Sequence, residues 1–305
     1  GVDALHVLLR ALTSVTTTWP GFVGDGAPDR LDAPEDELLS LLVDRDRSGT
    51  VANSVARLLG AAEAVRDQLS IDTFLMVGAL QRELAELEDR TEGGEDAVQW
   101  ALGRALQSLL ALAGLGAESM VRDPAWRFLD TGRRIERALQ LANLLGSTLG
   151  EERDGPTDSL VLESVLTAGE SIITYRRRYH GRARPDTLLD LLLCAPDNPR
   201  SVRFQLDLLL SHLHDLAVAR DSNALELARD VRRMVETVST VELAVTDTDG
   251  HRPALRAFTM SFRTALHGVA DEVDRENFGR VLPHHSVRTP TDTIGPFRHD
   301  LVERP

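Results

Sequence analysis

From Asp123 to Ala142 the chain reads as a single helix with an unusual polar load. Asp123 can accept the free N–H groups of a helix start, and Pro124 at the first helical position gives up only an N–H that would go unpaired anyway. Beyond it, Phe128, Gly132, Ile135, Leu139 and Ala142 recur at three- and four-residue steps, which makes one buried stripe. Trp126, Asp130, Arg133 and Arg137 fall on another face, and Asp130 is spaced to pair with Arg134 one turn on. Glu136 lies at the edge of the apolar stripe, where a carboxylate needs a partner. Arg122, Arg127, Arg133, Arg134 and Arg137, interleaved with Asp123, Asp130 and Glu136, are more polar machinery than packing requires.

The same periodicity runs through the rest of the chain. Helices are predicted at 2–18, 34–42, 50–68, 71–89, a stretch through Trp100 to Leu115, 123–145, 159–179, 185–193, 199–219, 224–245 and 253–274. No segment alternates with period two over a useful length. Only 4% of the 305 residues are aromatic while Leu and Ala dominate, which again favours helix over sheet. The expectation is an all-α fold, a bundle of long antiparallel helices over 1–279, followed by an extended, proline-bearing tail over 280–305.

An internal repeat divides the helical part into halves, 1–149 and 150–279. Leu38-Leu39-Ser40-Leu41-Leu42-Val43 matches Leu188-Leu189-Asp190-Leu191-Leu192-Leu193. Each is followed by a turn into a new helix, Ser48-Gly49-Thr50-Val51 in one copy and Pro199-Arg200-Ser201-Val202 in the other. Upstream, the segment from Ala11 to Thr17 lines up with that from Ala168 to Thr174. Two half-bundles packed face to face would place matching helices around a shared groove.

Charge and residue usage exclude several function classes. A formal net charge of −14 argues against a general nucleic-acid binder. All 34 basic residues are arginine, so Schiff-base, phosphate-loop and general-base lysines are excluded, and anion contacts must come from guanidinium forks or helix N-termini. Cys194 is the lone cysteine, which rules out an intrachain disulfide and suits a reducing cytoplasm. No apolar run approaches ~18 residues, so no membrane partner is expected.

Two further segments could carry chemistry. Tyr175-Arg176-Arg177-Arg178-Tyr179-His180-Gly181-Arg182-Ala183-Arg184 holds five arginines and no acid at a helix end. It reads as a dipole-satisfying terminus or as a clamp for carboxylate or phosphate. Contact with RNA is the weaker alternative, because no wider basic surface accompanies it. Asp197-Asn198-Pro199-Arg200-Ser201 is a helix start with Asn198 as the expected cap, and Arg200 and Ser201 beside it would suit an anion. Metal and hydrolase patterns are missing: there is no Glu-x-x-His, no His-Glu-x-x-His and no Gly-x-Ser-x-Gly. His212 and His214, two apart on a helix, face different ways.

The segment from Ala117 to Ala138 resembles the bacterial alpha-E domain family, and Ile173–Tyr179 and Asp197–Ser201 are similar to two further motifs of that family in the same order. Trp19-Pro20-Gly21-Phe22-Val23-Gly24 is similar to the form in actinobacterial members. Such members often follow a circularly permuted ATP-grasp ligase in one polypeptide, or sit beside one and a transglutaminase-like protein. The resemblance therefore implies a partner domain in ATP-dependent amide or peptide-bond formation. ATP and magnesium would belong to that partner, with no cofactor in this chain. The family normally opens with a copy of the aromatic-x-x-Gly-Arg-x-x-Glu-Arg pattern, whereas here only the later copy, Phe128 to Arg137, is present. With Gly1 in place of an initiator methionine, this predicts a piece cut from something longer.

The resulting expectation is a cytoplasmic accessory domain without catalysis of its own. Its arginines (Arg122, Arg127, Arg133, Arg134, Arg137, Arg176, Arg177 and Arg178) would line a groove for an acidic peptide or amino acid. Asp130 and Glu136 would orient the guanidiniums, Trp126, Tyr175 and Tyr179 would form walls, and Asn198, Arg200 and Ser201 would complete the site. Two other readings compete. One is a pure interaction scaffold whose arginine–acid pairs only lock helices; the other is a stand-alone enzyme with Glu136 or Asp130 as general base.

Overall fold

The computed structural model describes residues 3–89, 94–217 and 221–278. Among these residues the only sheet-like feature is one isolated bridge between Glu151 and His251; the rest of the regular structure is helical, as the periodicity predicts. The predicted tail over 280–305 lies outside the described residues. Among the described residues no helix is long and apolar enough to cross a membrane.

The first helix, α1 (Ala4–Thr16), is capped by Asp3 and stops where Thr17 turns left-handed. Gly21, itself at φ +50°, allows the following loop to fold back. A Cβ there would collide with the Thr13 side chain, whose hydroxyl accepts the Phe22 N–H at 2.8 Å and draws the Phe22 ring fully inside. Then come α2 (Ala27–Asp32), which the periodicity did not indicate, α3 (Glu35–Val43) and α4 (Val51–Ala64) with a 3₁₀ turn (Arg66–Gln68). The long pair α5 (Ile71–Asp89) and α6 (Gly94–Glu118) packs together.

The Asp123 helix is α7 (Pro124–Leu149), and the remaining elements pack on or near it. They are α8 (Gly155–Ala168), α9 (Ile172–Tyr179), α10 (Pro185–Leu189) with a π turn (Asp190–Cys194), α11 (Val202–Leu216), α12 (Asn223–Thr237), α13 (Thr240–Leu243) and α14 (Pro253–Asn277).

Two predicted helices are split. The one expected over 159–179 breaks between α8 and α9, where Glu170 adopts φ 46° and the Ser171 N–H returns to the Leu166 carbonyl at 2.8 Å. Gly169 sits against Leu192, so the break lets α9 turn away without lifting α8 off the core. The helix expected over 224–245 breaks at Val238, and Ser239 caps a new one by accepting the Glu242 N–H.

The main core gathers around α7. Ile135, Ala138, Leu139, Ala142 and Leu145 meet Val202, Leu206 and Leu209 of α11 and Phe262, Leu266 and Val269 of α14. Gly132, expected in the buried stripe, is exposed, and Phe128 is half-buried; Asp130 and Thr131 are buried instead. Leu188, Leu189, Leu191, Leu192 and Leu193 are all at most 1% exposed, because neighbouring elements surround that segment on every side. At about 2 kcal/mol per buried leucine, this run is a strong anchor for the second half of the chain. Smaller clusters hold α3 to α6, such as Ala52 and Val55 against Leu80, Leu84 and Ala105.

The two turns paired by the sequence repeat share a hydrogen-bond pattern. The Thr50 hydroxyl donates to the Asp44 carbonyl (2.5 Å) and accepts the Asn53 N–H (3.2 Å). The Ser201 hydroxyl donates to the Ala195 carbonyl (2.6 Å) and accepts the Phe204 N–H (3.0 Å).

Candidate ligand groove and its buried support

The start of α7 is built as expected: Asp123 Oδ1 accepts the Trp126 N–H at 2.9 Å, with Pro124 beside it. Trp126 and Arg122 then turn toward α6. The indole N–H donates to the Gly116 carbonyl at 2.9 Å, and Arg122 donates to the Gly116 and Ala117 carbonyls while its guanidinium lies 4.0 Å from the indole centroid. These contacts satisfy carbonyls left open at the α6 C-terminus. Arg122 and Trp126, expected as ligand contacts, thus fasten α6 to α7.

One turn on, Asp130 is buried at 2% exposure and holds four donors. Arg134 binds it through both Nε and Nη2 at 2.9 Å, Arg133 reaches it at 3.3 Å, and His212 Nε2 of α11 lies 2.8 Å from Oδ2. An ionised carboxylate only accepts, so His212 Nε2 is the donor. The Trp126 ring meets the His212 ring edge-on at 5.1 Å. Burial raises the Asp130 pKa, but the bonds from Arg134 and His212 and the charges of Arg134 and Arg133 outweigh it and hold the carboxyl below its usual 3.8. His212 Nδ1 and Thr131 Oγ1 are buried with no hydrogen-bond partner among the described residues.

This network leads to the α11 start. Arg134 Nη1 donates to Gln205 Oε1 at 2.9 Å, and Gln205 Nε2 donates to the Pro199 carbonyl at 2.6 Å. Ser201, not Asn198, caps α11. Asn198 is buried because its amide donates to Ser171 Oγ (3.2 Å) and the Leu191 carbonyl (3.0 Å), while Oδ1 accepts the Arg200 N–H (3.1 Å). It locks the α9 start to the loop that presents Arg200. The Arg200 guanidinium contacts Glu170.

The other arginines divide by partner. Arg127 binds Asp215 at 2.5 Å, Arg178 binds Asp197 at 2.6 Å, and Arg176 lies 4.0 Å from Glu163. Arg177 is exposed with no ion pair among the described residues. The expected convergence of Arg176–Arg178 with the α7 arginines is not what their contacts form. It is Arg200, not the α9 cluster, that stands among the positive charges of α7. Tyr175 is a core residue: its hydroxyl bridges Thr187 (2.6 Å), the Arg182 carbonyl (3.2 Å) and the Arg184 N–H (3.0 Å). The Tyr179 ring lies 4.8 Å from it, tilted by 38°, and its hydroxyl donates to Asp190 at 2.5 Å; burial and that bond push its phenol pKa up. Glu136 does not orient the guanidiniums, because it is exposed and accepts from Gln140 at 3.0 Å.

Arg137 is different. It is exposed as a residue, and among the described residues no carboxylate lies within 4.0 Å of it. Its guanidinium is partly desolvated, and that burial, followed by the charges of Arg134, Arg133 and Arg200, lowers its pKa. Arg137 and Arg200 line a groove of about 510 Å³ between α1, α7 and α8. Leu8, Leu12 and Val15 of α1 and Leu141 and Leu144 of α7 supply apolar walls, and Gln205 a further polar group. Such a mix of aliphatic wall and few convergent polar groups is the usual make-up of a ligand site. Sequence reasoning missed Gln205, His212 and the α1 leucines. Gln205 and His212 are seven apart, two turns on one helix face, and that spacing was the available signal.

Comparison with known proteins places the sequence in a family. The model of the Alpha-E family, "a predicted alpha-helical domain with a conserved ER motif", matches residues 3–278. In α7 the Glu-Arg pair is Glu136–Arg137. The uncharacterized protein Rv2567 of Mycobacterium tuberculosis is 35% identical over 283 residues, covering 88% of this chain and 31% of the relative. The uncharacterized protein Mb2597 of Mycobacterium bovis matches with the same identity and coverage. The chain thus spans about a third of the length of these curated relatives. No solved structure matches it. With the family model matching residues 3–278, nearly the whole described chain, the chain belongs to the Alpha-E domain family.

Proposed function

We propose that the chain is a non-catalytic accessory domain that holds an acidic peptide or amino-acid carboxylate for an ATP-dependent amide ligase of the ATP-grasp type. The single observation that carries this reading is Arg137, a groove-wall guanidinium with no carboxylate within 4.0 Å among the described residues. Arg200, itself paired with Glu170, stands near it, and Asp130 and Gln205 hold the arginine array in place. A charge-assisted contact to Arg137 is worth about 1.5–3 kcal/mol. The ligase assignment rests on the resemblance of its motifs to members that accompany ATP-grasp ligases; the greater length of the relatives leaves room for such a partner, to which ATP and magnesium would belong. Titration with an oligoglutamate peptide is expected to show binding that Arg137→Ala weakens by about tenfold or more. Co-purification with a circularly permuted ATP-grasp protein tests the partner. An Arg137→Ala variant that binds as tightly as the parent would sink the groove reading.

A second reading, the interaction scaffold, is favoured by the pairs Arg127–Asp215, Arg178–Asp197 and Arg134–Asp130, which leave those arginines neutralised inside the chain.

A further inference from the structure

The groove extends beyond its polar wall. On α1, Leu5, Leu8, Leu12 and Val15 recur at three- and four-residue steps and so share one face. Leu8, Leu12 and Val15 line the groove, and Leu5, one turn before Leu8, is 49% exposed. At about 1.5 Å per residue this strip is roughly 15 Å long. Across from it on α8, Ser164 and Ala168 line the groove, and Leu160, one turn before Ser164, is 59% exposed. The groove's own α1 lining, Leu8 to Val15, is about two helical turns long, with Arg137 of α7 along it, and the exposed Leu5 and Leu160 stand one turn further along α1 and α8.

A free amino acid would leave most of that length uncovered, since an extended residue spans only about 3.5 Å. An extended peptide would cover it but would bring backbone N–H and C=O groups against walls that are helices. The walls' own backbone groups are bonded internally, so the peptide's would face aliphatic side chains unpaired. A helix carries its backbone bonds within itself and offers only side chains to the trough. The source of such a helix is indicated by length: more than two thirds of the mycobacterial relatives lies outside the part matched here, 31% of their length being covered.

We infer that the trough seats an amphipathic helix from that remaining polypeptide, with aliphatic residues against α1 and α8 and a carboxylate against Arg137. This rests on the acidic-ligand reading above and narrows it to one kind of occupant.

The test uses peptides of about 20 residues, long enough to form a helix on binding, tiled along Rv2567 outside its matched part. Fluorescence anisotropy against the intact chain is expected to find a tile that binds and gains helical circular dichroism. Leu12→Asp is expected to weaken that tile, and Arg137→Glu to weaken it by about tenfold or more. Replacing the tile's carboxylate by arginine is expected to restore binding to the Arg137→Glu chain. Arg137 is exposed, so that variant reads the contact even if Leu12→Asp impairs folding. If no tile binds, or the bound tile ignores Arg137→Glu, the inference is overturned. Oligoglutamate binding that depends on Arg137, with no tile bound, would overturn the helix while leaving the acidic-ligand reading standing. Loss of both would end the two together.

Discussion

Nε2 of His212 lies 2.8 Å from Oδ2 of Asp130, across 82 residues of chain, and both side chains are buried. This contact ties α11 to α7 at the point where the Arg133–Arg134 pair begins. From Asp130 the bonds run through Arg134 and Gln205 to the Pro199 carbonyl, next to Arg200. The buried acid therefore sets the relative place of the two cations, Arg137 and Arg200, that line the groove.

Asp130→Ala should cost about 3–5 kcal/mol in unfolding free energy, because it strands Arg134 and His212 without their acceptor. Urea denaturation measures this directly. Asp130→Leu combined with Arg134→Met should recover much of the loss, since an apolar replacement of a whole buried pair is often neutral. A loss below about 1 kcal/mol for Asp130→Ala would show that the network does not brace α7.

Stability should fall with acid in a way that Asp130→Asn blunts. The folded carboxyl titrates below 3.8, so the unfolded chain takes up the proton first. The contribution is therefore full above about pH 4 and disappears as pH drops through the lower folded value. Thermal melts from pH 5 downward on both proteins should show a smaller decline for Asp130→Asn.

Arg137→Ala and Arg134→Ala should separate binding from folding. Arg137 has no ion pair among the described residues and sits among like charges, so its loss should change stability by no more than about 0.5 kcal/mol. Arg134→Ala leaves Asp130 and Gln205 without their main donor and should destabilise by several times that amount. Anion titrations of the two variants, set beside their melting curves, decide the matter.

Asn198→Ala should lower stability by about 2 kcal/mol, since it leaves the buried Leu191 carbonyl and Ser171 hydroxyl without a donor. Because Asn198 also holds the Arg200 N–H, the variant should weaken anion binding as well. Unchanged melting would mean that the loop keeps its shape without the amide.

Cys194 should be slow to alkylate in the native state. Burial, then the charge of Asp190, pushes its pKa from 9.0 to about 11, so almost none is thiolate at neutral pH. Timed reaction with iodoacetamide should be much faster in denaturant than in buffer, and equal rates would refute the buried environment.

Local chemistry made the helices legible. Asp123 and Pro124 begin α7 within one turn, and Asp130 and Arg134 pair because four residues bring them to one face. The Leu188–Leu193 run reads only as a helix and one arm of the repeat; its complete burial comes from α8, α11, α12 and α13 packing around it. The break at Gly169–Ser171 was harder to read, because it depends on Leu192 pressing against Gly169 from another element. The site was legible only in part. Arginine content drew attention to α7, but which guanidiniums are neutralised was set by residues distant in sequence: Asp215 for Arg127, Asp197 for Arg178, Gln205 and His212 around Asp130 and Arg134. Hydrogen bonds and caps within a helix follow from a spacing repeated every turn. The facing of one helix toward another follows from how their side chains interlock, and that rotation left Arg137 at the groove while turning Glu136 to solvent.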